Sequence, residues 1–336
     1  MKGNKNSLCV IDGDLLAYRC AAANEKRTVV ATHNETLEEF VFSTATSFKE
    51  WAEDESSNYT LTPKQEAGPI EHALAGVKWS IESIIARAKC GKYHIVISGK
   101  NNFRLDLPLP TRYKDSRKDS AKPLQLQQCK DYLIDFHNAE ISEGVEADDI
   151  LTGYMYQGYK DKEYIVQASI DKDATHGPGW LFNWTTMEEP ELIEGYGNLE
   201  CILKDTGVKK ANGEPSYSKS IKGKGRAFLW FQLLYGDPVD CYKPCEIAKG
   251  KLGEVGAYDI LCKATNDKEA LEAIVAKYKA WYPTPVTYRC WKGEKHTKTW
   301  LEIMQMYADC AFMRRWEGDR LNIANILNRL GIDNEY

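Results

Sequence analysis

The segment LCVIDGD, residues 8–14, places a short apolar run directly before two acidic residues. Similar runs occur at His94–Ser98 and Tyr164–Ala168, and helical stretches separate all three. Short apolar and β-branched strands that alternate with helices are typical of a parallel sheet covered by helices. The sequence therefore predicts an α/β fold for the first part of the chain, with strands at Leu8–Ile11 and at the two later runs.

A helix is predicted around Glu146–Gln157, because its apolar residues recur at the spacing of one helical face. These residues are Ala147, Ile150, Leu151 and Tyr154. We expect this face to pack on the sheet. Residues 26–70 form an insert, predicted as strand-like segments followed by a polar loop that ends near Pro69.

The segment Lys204–Arg226 is rich in Lys, Gly and Ser, which predicts a mobile basic loop at a domain boundary. We expect a domain over 1–203, a mainly helical region over 227–282 and a C-terminal part over 283–336. Helices are predicted at Ala227–Tyr235, Tyr258–Cys262, Lys268–Trp281 and Trp300–Trp316, a strand at Val286–Trp291, and a turn at Lys292–Lys295.

The composition is that of a globular protein, with 43% hydrophobic and 28% charged residues among 336. It has no apolar run of membrane-spanning length and no signal peptide at its start, so we expect a cytoplasmic monomer without a membrane role. The net charge of −5 restricts nucleic-acid binding to local patches. Residues 100–122 carry seven Lys or Arg against three acids, and residues 204–226 carry seven against two.

The sequence contains ten cysteines. The closest pair, Cys241 and Cys245, lacks a second pair or a nearby His that would complete a zinc site. We therefore expect reduced thiols, most of them buried.

Acidic residues recur at predicted strand ends and helix starts, in VIDGD (10–14), EADD (146–149) and SIDKD (169–173). Ligand sites in open α/β sheets form at the carboxyl ends of strands, so these acids are expected to converge. EADD alone would be explained by the helix dipole. Carboxylates that are packed together repel one another unless cations neutralise them, and oxygen ligands without His or Cys favour Mg²⁺ or Mn²⁺. Another acidic group, GDPVD (236–240), also has the composition of an ordinary turn.

In chain order, the motifs IDGD, RYKDSRK (112–118), EADD, SIDKD, GDPVD and GEVGAYDIL (253–261) resemble the flap endonuclease and 5′→3′ exonuclease superfamily, particularly its bacteriophage branch. The resemblance covers roughly residues 8–20 and 93–282. It implies a PIN-like α/β nuclease domain with a helix-three-turn-helix module and a two-metal mechanism. The implied partners are DNA 5′ ends, flaps and duplexes, with an RNA–DNA hybrid as an alternative substrate.

The resemblance also implies roles for individual residues. Ligands of the first metal are Asp12, Glu146, Asp148 and Asp171, with Asp149 as an accessory carboxylate. Ligands of the second metal are Asp173, Asp237 and Asp240. Lys114 and Arg117 would neutralise charge on the scissile phosphate, and the ring of Tyr113 would stack on an unpaired base beneath a helical arch.

Other residues are expected to contact the nucleic acid backbone. Gly253 and Gly256 would let the backbone approach a phosphate, and a K⁺ ion would assist at this hairpin. The basic candidates for phosphate contacts are Lys118, Lys222 and Lys224. One departure from the family pattern is Gly99, which stands where the family has an acid.

Two other functions remain open at this stage. In a phosphatase of the haloacid-dehalogenase type, Asp12 would be the nucleophile, Asp14 the acid and GDPVD the metal motif. That interpretation leaves EADD and SIDKD unexplained. A non-catalytic protein that binds nucleic-acid structures is supported by Gly99 alone.

Overall fold

The computed structural model describes residues 6–118, 120–209 and 213–335. Its helices are α1 (Gly13–Ala23), α2 (Ala45–Ala52), α3 (Ile70–Ala88), α4 (Leu126–His137), α5 (Ala147–Asp161), α6 (Gly225–Tyr235), α7 (Glu254–Leu261), α8 (Asp267–Trp281), α9 (Trp300–Ala311) and α10 (Ile323–Leu330). Its strands are β1 (Leu8–Asp12), β2 (Glu25–His33), β3 (Glu39–Phe42), β4 (Tyr59–Ala67), β5 (Lys92–Ile97), β6 (Glu140–Ile141), β7 (Ile165–Ala168), β8 (Gly179–Phe182), β9 (Glu191–Ile193), β10 (Asn198–Lys209), β11 (Pro215–Lys224), β12 (Val286–Arg289) and β13 (Lys295–Lys298).

The chain divides into two compact units. The first comprises Met1–Asp12, Ile85–Ser120 and Glu140–Tyr336, and the second comprises Gly13–Ile84 and Ala121–Ala139. Both sides of the segment 204–226 belong to the first unit, so the boundary expected there does not separate the observed units.

The first unit contains a sheet with the strand order β6-β5-β1-β7-β8-β9. Its pairings are parallel from β6 to β8, and β9 is antiparallel. Helix α5 covers it, with Ala147 and Leu151 buried against Val10 and Val96. The predicted strands, the apolar face of this helix and the α/β class are therefore confirmed.

The rest of the first unit is mainly helical. Nine consecutive positions of α6 from Ala227 to Tyr235 include eight buried side chains, so this helix lies in the interior. It shares a core cluster with α8 and α9, in which Ile274 and Tyr307 are fully buried. The helices predicted in this region are confirmed, although α7 begins four residues before Tyr258 and α9 ends five residues before Trp316. The predicted strand and turn after Val286 form the two-stranded hairpin β12–β13.

The prediction of a mobile basic loop at Lys204–Arg226 was wrong for the described residues. Strands β10 and β11 pair in an antiparallel hairpin, in which Leu203 lies opposite Lys219 and Glu200 opposite Lys222. Cross-strand pairing and contact of Ile221 with the core supply the stabilisation that composition alone did not indicate. Residues 210–212 lie outside the described part of the chain.

The second unit contains an antiparallel sheet with the order β3-β2-β4. The polar loop predicted before Pro69 was wrong, since this stretch contains α2 and β4. Helix α2 begins with a capping box between Thr44 and Ser47, and Phe48 packs on Ala31 of the sheet. Local capping and one aromatic anchor thus order a polar sequence. Within residues 6–118, 120–209 and 213–335, no helix combines the length and apolar character needed to cross a bilayer.

Candidate metal centre

The carboxyl ends of β1 and β7 carry the first acidic residues of the site. These strands are adjacent in the sheet, and Asp12 is the last residue of β1. Its carboxylate is buried and accepts a hydrogen bond from the Ser169 hydroxyl at 2.9 Å. The same hydroxyl accepts the Asp171 amide at 3.1 Å. Ser169 therefore links the two acids that the sheet brings to one edge, as expected from the sequence.

The N-terminus of α5 adds Glu146 and Asp148 to this edge. Glu146 is the N-cap residue, with an extended backbone, and Asp148 lies in the first turn. Burial raises the pKa of Asp148 well above 3.8, and the nearby charges of Asp12 and Asp171 raise it further. The carboxylates of Asp12 and Asp171 therefore lie close enough to Asp148 to repel its charge.

Asp173, Asp237 and Asp240 form a tighter cluster. One carboxylate oxygen from each can be chosen so that all three lie within 4.8 Å of one another, and all three residues are buried. Asp237 and Asp240 lie in the turn after α6, which is closed by two backbone hydrogen bonds between Asp237 and Tyr242. The turn expected from Gly-Asp-Pro is therefore present, and it also delivers two acids to the cluster.

Electrostatics in this cluster favour a bound cation. Burial raises the pKa of Asp173 well above 3.8, with a further contribution from Asp171, and burial also raises the pKa of Asp240. Lys172 is the closest compensating charge, with its Nζ 2.7 Å from Asp237 Oδ2 and its side chain 48% exposed. Three buried oxygen donors with this repulsion fit a hard divalent cation such as Mg²⁺ or Mn²⁺.

The basic segment 112–118 lies against both acidic sets. The Nζ of Lys114 is 2.5 Å from Glu146 Oε1, and Arg117 Nη2 is 3.0 Å from Asp240 Oδ1. The Lys114 amide also donates to the Asp240 carbonyl at 2.9 Å. Specific contacts therefore hold two cationic groups of this segment next to the carboxylates.

The stacking role predicted for Tyr113 was wrong. Its side chain is 2% exposed and packs in the core cluster, so an unpaired base cannot reach its ring. Its hydroxyl instead lies 2.7 Å from Asp240 Oδ2 and 3.1 Å from Glu146 Oε2. Burial and these two carboxylates raise the pKa of Tyr113 well above 10, so the hydroxyl keeps its proton and bridges the two acidic sets.

Asp149 does not fit the accessory metal role expected for it. Both of its oxygens accept hydrogen bonds from the buried Arg104 guanidinium. Oδ2 also accepts the Glu146 amide at 3.0 Å, and Oδ1 accepts the Arg314 amide at 2.7 Å. Since four donors occupy its oxygens, Asp149 organises the start of α5.

Gly99 lies beside the loop that leads into α5. A Cβ atom at this position would come within 2.1 Å of the Ser142 carbonyl oxygen. The Gly99 amide donates to Ser142 Oγ at 3.1 Å. Backbone of this chain therefore fills the space that an acidic side chain would need.

The predicted nucleic-acid contacts have mixed surroundings. Lys118 forms an ion pair with Asp115, Lys224 Nζ is 2.5 Å from Glu191 Oε2, and Lys222 is exposed opposite Glu200. Lys118 and Lys224 thus each have an acidic partner that a phosphate would have to displace, whereas Lys222 only lies opposite an acid in the strand register.

The predicted glycine hairpin lies at the start of α7. Gly253 is the N-cap residue of α7, is exposed and has open space around it, and Gly256 lies in the first turn. The backbone there is open to an approaching group, as expected for Gly253.

Three residues near the acids escaped the sequence analysis. Gln232 donates to Asp173 Oδ1 at 2.6 Å, and Arg104 holds Asp149. His176 is buried with its Nε2 3.9 Å from Asp173 Oδ1, and burial lowers its pKa to about 3. His176 follows SIDKD closely, which is the one signal that could have drawn attention to it.

No family model and no curated protein matches the chain. Among solved structures, a T5 protein co-crystallised with metal ions is similar at a TM-score of 0.41 and 15% identity, covering 80% of this chain and 78% of that chain. The bacteriophage T5 flap endonuclease, in a pseudo-enzyme-product complex with DNA and metal ions, gives 0.42 and 15% over 80% and 78%. The T5 5′-exonuclease with divalent zinc gives 0.42 and 15% over 82% and 86%.

Proposed function

We propose that this protein is a divalent-metal-dependent nuclease that hydrolyses DNA phosphodiesters as a 5′→3′ exonuclease and 5′-flap endonuclease. The observation that carries the proposal is the buried cluster of Asp173, Asp237 and Asp240, whose ligand oxygens lie within 4.8 Å of one another. Next to this cluster, Lys114 and Arg117 supply the positive charge that a phosphodiester would require.

In this proposal the acids divide into two ligand sets, as the family resemblance implies. Asp12, Glu146, Asp148 and Asp171 would hold one Mg²⁺ or Mn²⁺, and Asp173, Asp237 and Asp240 a second. Divalent cations held by these residues would supply an activated water and stabilise the leaving oxygen of a phosphodiester. Other residues around the acids have to orient these carboxylates and balance their negative charge.

Tyr113 and Lys114 are placed to perform that task. Tyr113 positions Asp240 and Glu146 from a single hydroxyl, so the relative placement of the two sets depends on it. Lys114 contacts Glu146 at 2.5 Å, and its pKa is raised, since the attraction of Glu146 and Asp240 outweighs burial. It therefore keeps its charge at neutral pH and can stabilise negative charge that develops on a phosphate.

Arg117 is the more exposed cation of the pair, with 51% of its side chain accessible. It can exchange its contact with Asp240 for one with a phosphate at small cost, because exposed ion pairs contribute little. We assign it phosphate capture, and assign charge stabilisation at the scissile bond to Lys114.

The phosphatase alternative is less well supported. It requires Asp14 to act as the acid beside Asp12. Asp14 is engaged in an ion pair with Lys130 of its own unit. EADD and SIDKD, which carry acids of both sets, would have no function in that mechanism.

The test is digestion of 5′- and 3′-labelled duplex, 5′-flap and single-stranded DNA with Mg²⁺, with an RNA–DNA hybrid and p-nitrophenyl phosphate in parallel. We expect cleavage from 5′ ends or at flaps that EDTA abolishes. Asp237→Asn serves as the inactive control and exposed Asp259→Asn as the active one. Cleavage that resists EDTA, or turnover of p-nitrophenyl phosphate alone, would contradict the proposal.

A further inference from the structure

The hairpin β12–β13 carries a second group of metal-ligating side chains that the proposed nuclease does not use. Ligand atoms of Cys290, Glu294 and His296 all lie within 4.8 Å of one another. The spacing of cysteines alone does not reveal this group, because strand pairing brings its members together.

Strand geometry explains the convergence. Tyr288 and Cys290 are two residues apart, so they lie on one face of the hairpin. His296 is paired with Tyr288 in the register and shares that face, with the two ring centroids 5.9 Å apart. The turn is fixed by hydrogen bonds from the Cys290 amide to the Glu294 carbonyl at 2.9 Å and from the Gly293 amide to the Cys290 carbonyl at 2.8 Å.

The state of the side chains points to a missing partner. Cys290 is 5% exposed and is not in a disulfide. The Nε2 of His296 is buried and has no hydrogen-bond partner within the described part of the chain, although Glu294 Oε2 lies 3.5 Å away. A buried nitrogen without a partner is costly, and a cation at this point would satisfy it.

We propose that Cys290, Glu294 and His296 bind one transition-metal ion of borderline softness, for which Zn²⁺ is the best fit. Thiolate, imidazole and carboxylate are the ligand types of zinc, and three protein ligands leave a fourth position for water. Zinc bonds of about 2.0–2.3 Å bring tetrahedral ligands about 3.5 Å apart, so small side-chain rotations from the observed spacing suffice. Binding displaces the thiol proton of Cys290 to solvent.

The carboxylate centre has no sulfur ligand, and this chemical difference separates the two sites. The site proposed here shares no residue with the carboxylate centre, so it does not depend on the nuclease proposal. It would fasten the turn of a hairpin whose Tyr288 hydroxyl already reaches the Pro108 carbonyl at 2.8 Å.

Cobalt(II) is a suitable probe, because a thiolate ligand gives a sulfur-to-cobalt charge-transfer band that carboxylates cannot give. We would titrate the full-length, reduced protein with Co²⁺ in excess Mg²⁺, which occupies the hard oxygen sites. The expected result is a charge-transfer band that saturates at one Co²⁺ per chain and is bleached by Zn²⁺. Cys290→Ser should lose the band, whereas Cys262→Ser, which changes an exposed thiol, should keep it.

Two further variants guard against misfolding of Cys290→Ser. Glu294→Gln alters an exposed side chain and should keep the charge-transfer band while lowering the affinity for Co²⁺. His296→Ala should lower that affinity about tenfold or more. Absence of the band in the wild type, its persistence in Cys290→Ser, or equal affinity in the wild type and His296→Ala would each overturn the proposal.

Discussion

The Arg104 guanidinium makes two parallel hydrogen bonds to the Asp149 carboxylate, with Nη1 2.7 Å from Oδ2 and Nη2 2.9 Å from Oδ1. Both side chains are buried. Arg104 also donates to the carbonyls of Cys310 and Phe312, so this ion pair joins the segment after β5, the start of α5 and the end of α9. The ion pair therefore holds the start of α5, where Glu146 is the N-cap residue.

Breaking this pair should be strongly destabilising. We expect Asp149→Leu to lower the free energy of unfolding by about 3–5 kcal/mol, because it leaves a buried guanidinium without its counter-charge. The double variant Arg104→Met/Asp149→Leu should recover part of the loss, since no isolated charge remains. Urea denaturation of the wild type, Arg104→Met, Asp149→Leu and the double variant measures both effects, and a loss in the double variant equal to the sum of the single losses would contradict the coupling.

The role of Tyr113 can be decided by one oxygen atom. Tyr113→Phe keeps the ring and removes the hydroxyl that bridges Asp240 and Glu146. If that bridge positions the ligands, turnover should fall about tenfold or more and the Mg²⁺ concentration for half-maximal rate should rise. Activity equal to wild type would rule out the positioning role. Tyr217→Phe, at an exposed tyrosine of β11, is the matched control.

The acidic cluster should make the metal-free protein sensitive to pH. Burial and Asp171 raise the pKa of Asp173 above its ordinary 3.8, so the folded state binds this proton more tightly than the unfolded chain does. Stability from this group is complete below pH 3.8 and is lost as the pH rises through the folded pKa. Each unit of the shift corresponds to about 1.4 kcal/mol.

Asp173→Asn removes that titration and can still accept the hydrogen bond from Gln232. In EDTA, its free energy of unfolding should therefore fall less than that of wild type between about pH 5 and about pH 8. Mg²⁺ should stabilise the wild type at the higher pH and the variant much less. Asp259→Asn, at an exposed acid, should follow the wild type. If the free energies of unfolding of wild type and Asp173→Asn change in parallel with pH, the pKa of this carboxylate is not raised in the folded state.

The hairpin β10–β11 can test whether a lysine that is already paired with an acid contributes less to phosphate binding than an unpaired one. Lys219 is exposed opposite the apolar Leu203, whereas Lys224 is paired with Glu191. We expect Lys219→Ala to reduce the salt dependence of duplex binding by about one unit of slope, and Lys224→Ala by less, since its charge is already compensated. Equal effects would mean that both lysines contribute equally to phosphate binding. No effect from either would show that the hairpin does not contact the duplex.

The residues that could be predicted from the sequence are those whose chemistry is local. Apolar strands that end in acids predicted which acids meet at the edge of the sheet. The adjacency of β1 and β7 places Asp12 and Asp171 there. Pairings between distant segments could not be predicted in this way. Asp149 looks like its neighbour Asp148 in EADD, and only the position of Arg104 separates a structural carboxylate from a candidate ligand. The lysine-rich hairpin likewise depends on cross-strand partners that composition does not contain.

Gly99 provides the last prediction. The family pattern suggests that restoring an acid, with Gly99→Asp, would tighten metal binding. The structure opposes this, because a Cβ atom would lie 2.1 Å from the Ser142 carbonyl oxygen. Ser142 is held by its amide to the Ile97 carbonyl at 2.9 Å and by its hydroxyl to the Val145 carbonyl at 2.8 Å, so the contact cannot be relieved by one flexible side chain. The loop to Glu146 would have to move.

We therefore expect Gly99→Ala and Gly99→Asp both to be destabilised, by about 1–3 kcal/mol or more. Both should need more Mg²⁺ than the wild type for half-maximal cleavage of a labelled 5′-flap, because Glu146 follows the displaced loop. Gly253→Ala adds the same methyl group in open space and should keep the wild-type Mg²⁺ requirement. Comparison of the two Gly99 variants isolates the carboxylate from the steric cost. If Gly99→Asp is stable and needs less Mg²⁺ than the wild type, the loop yields and the position does accept a ligand.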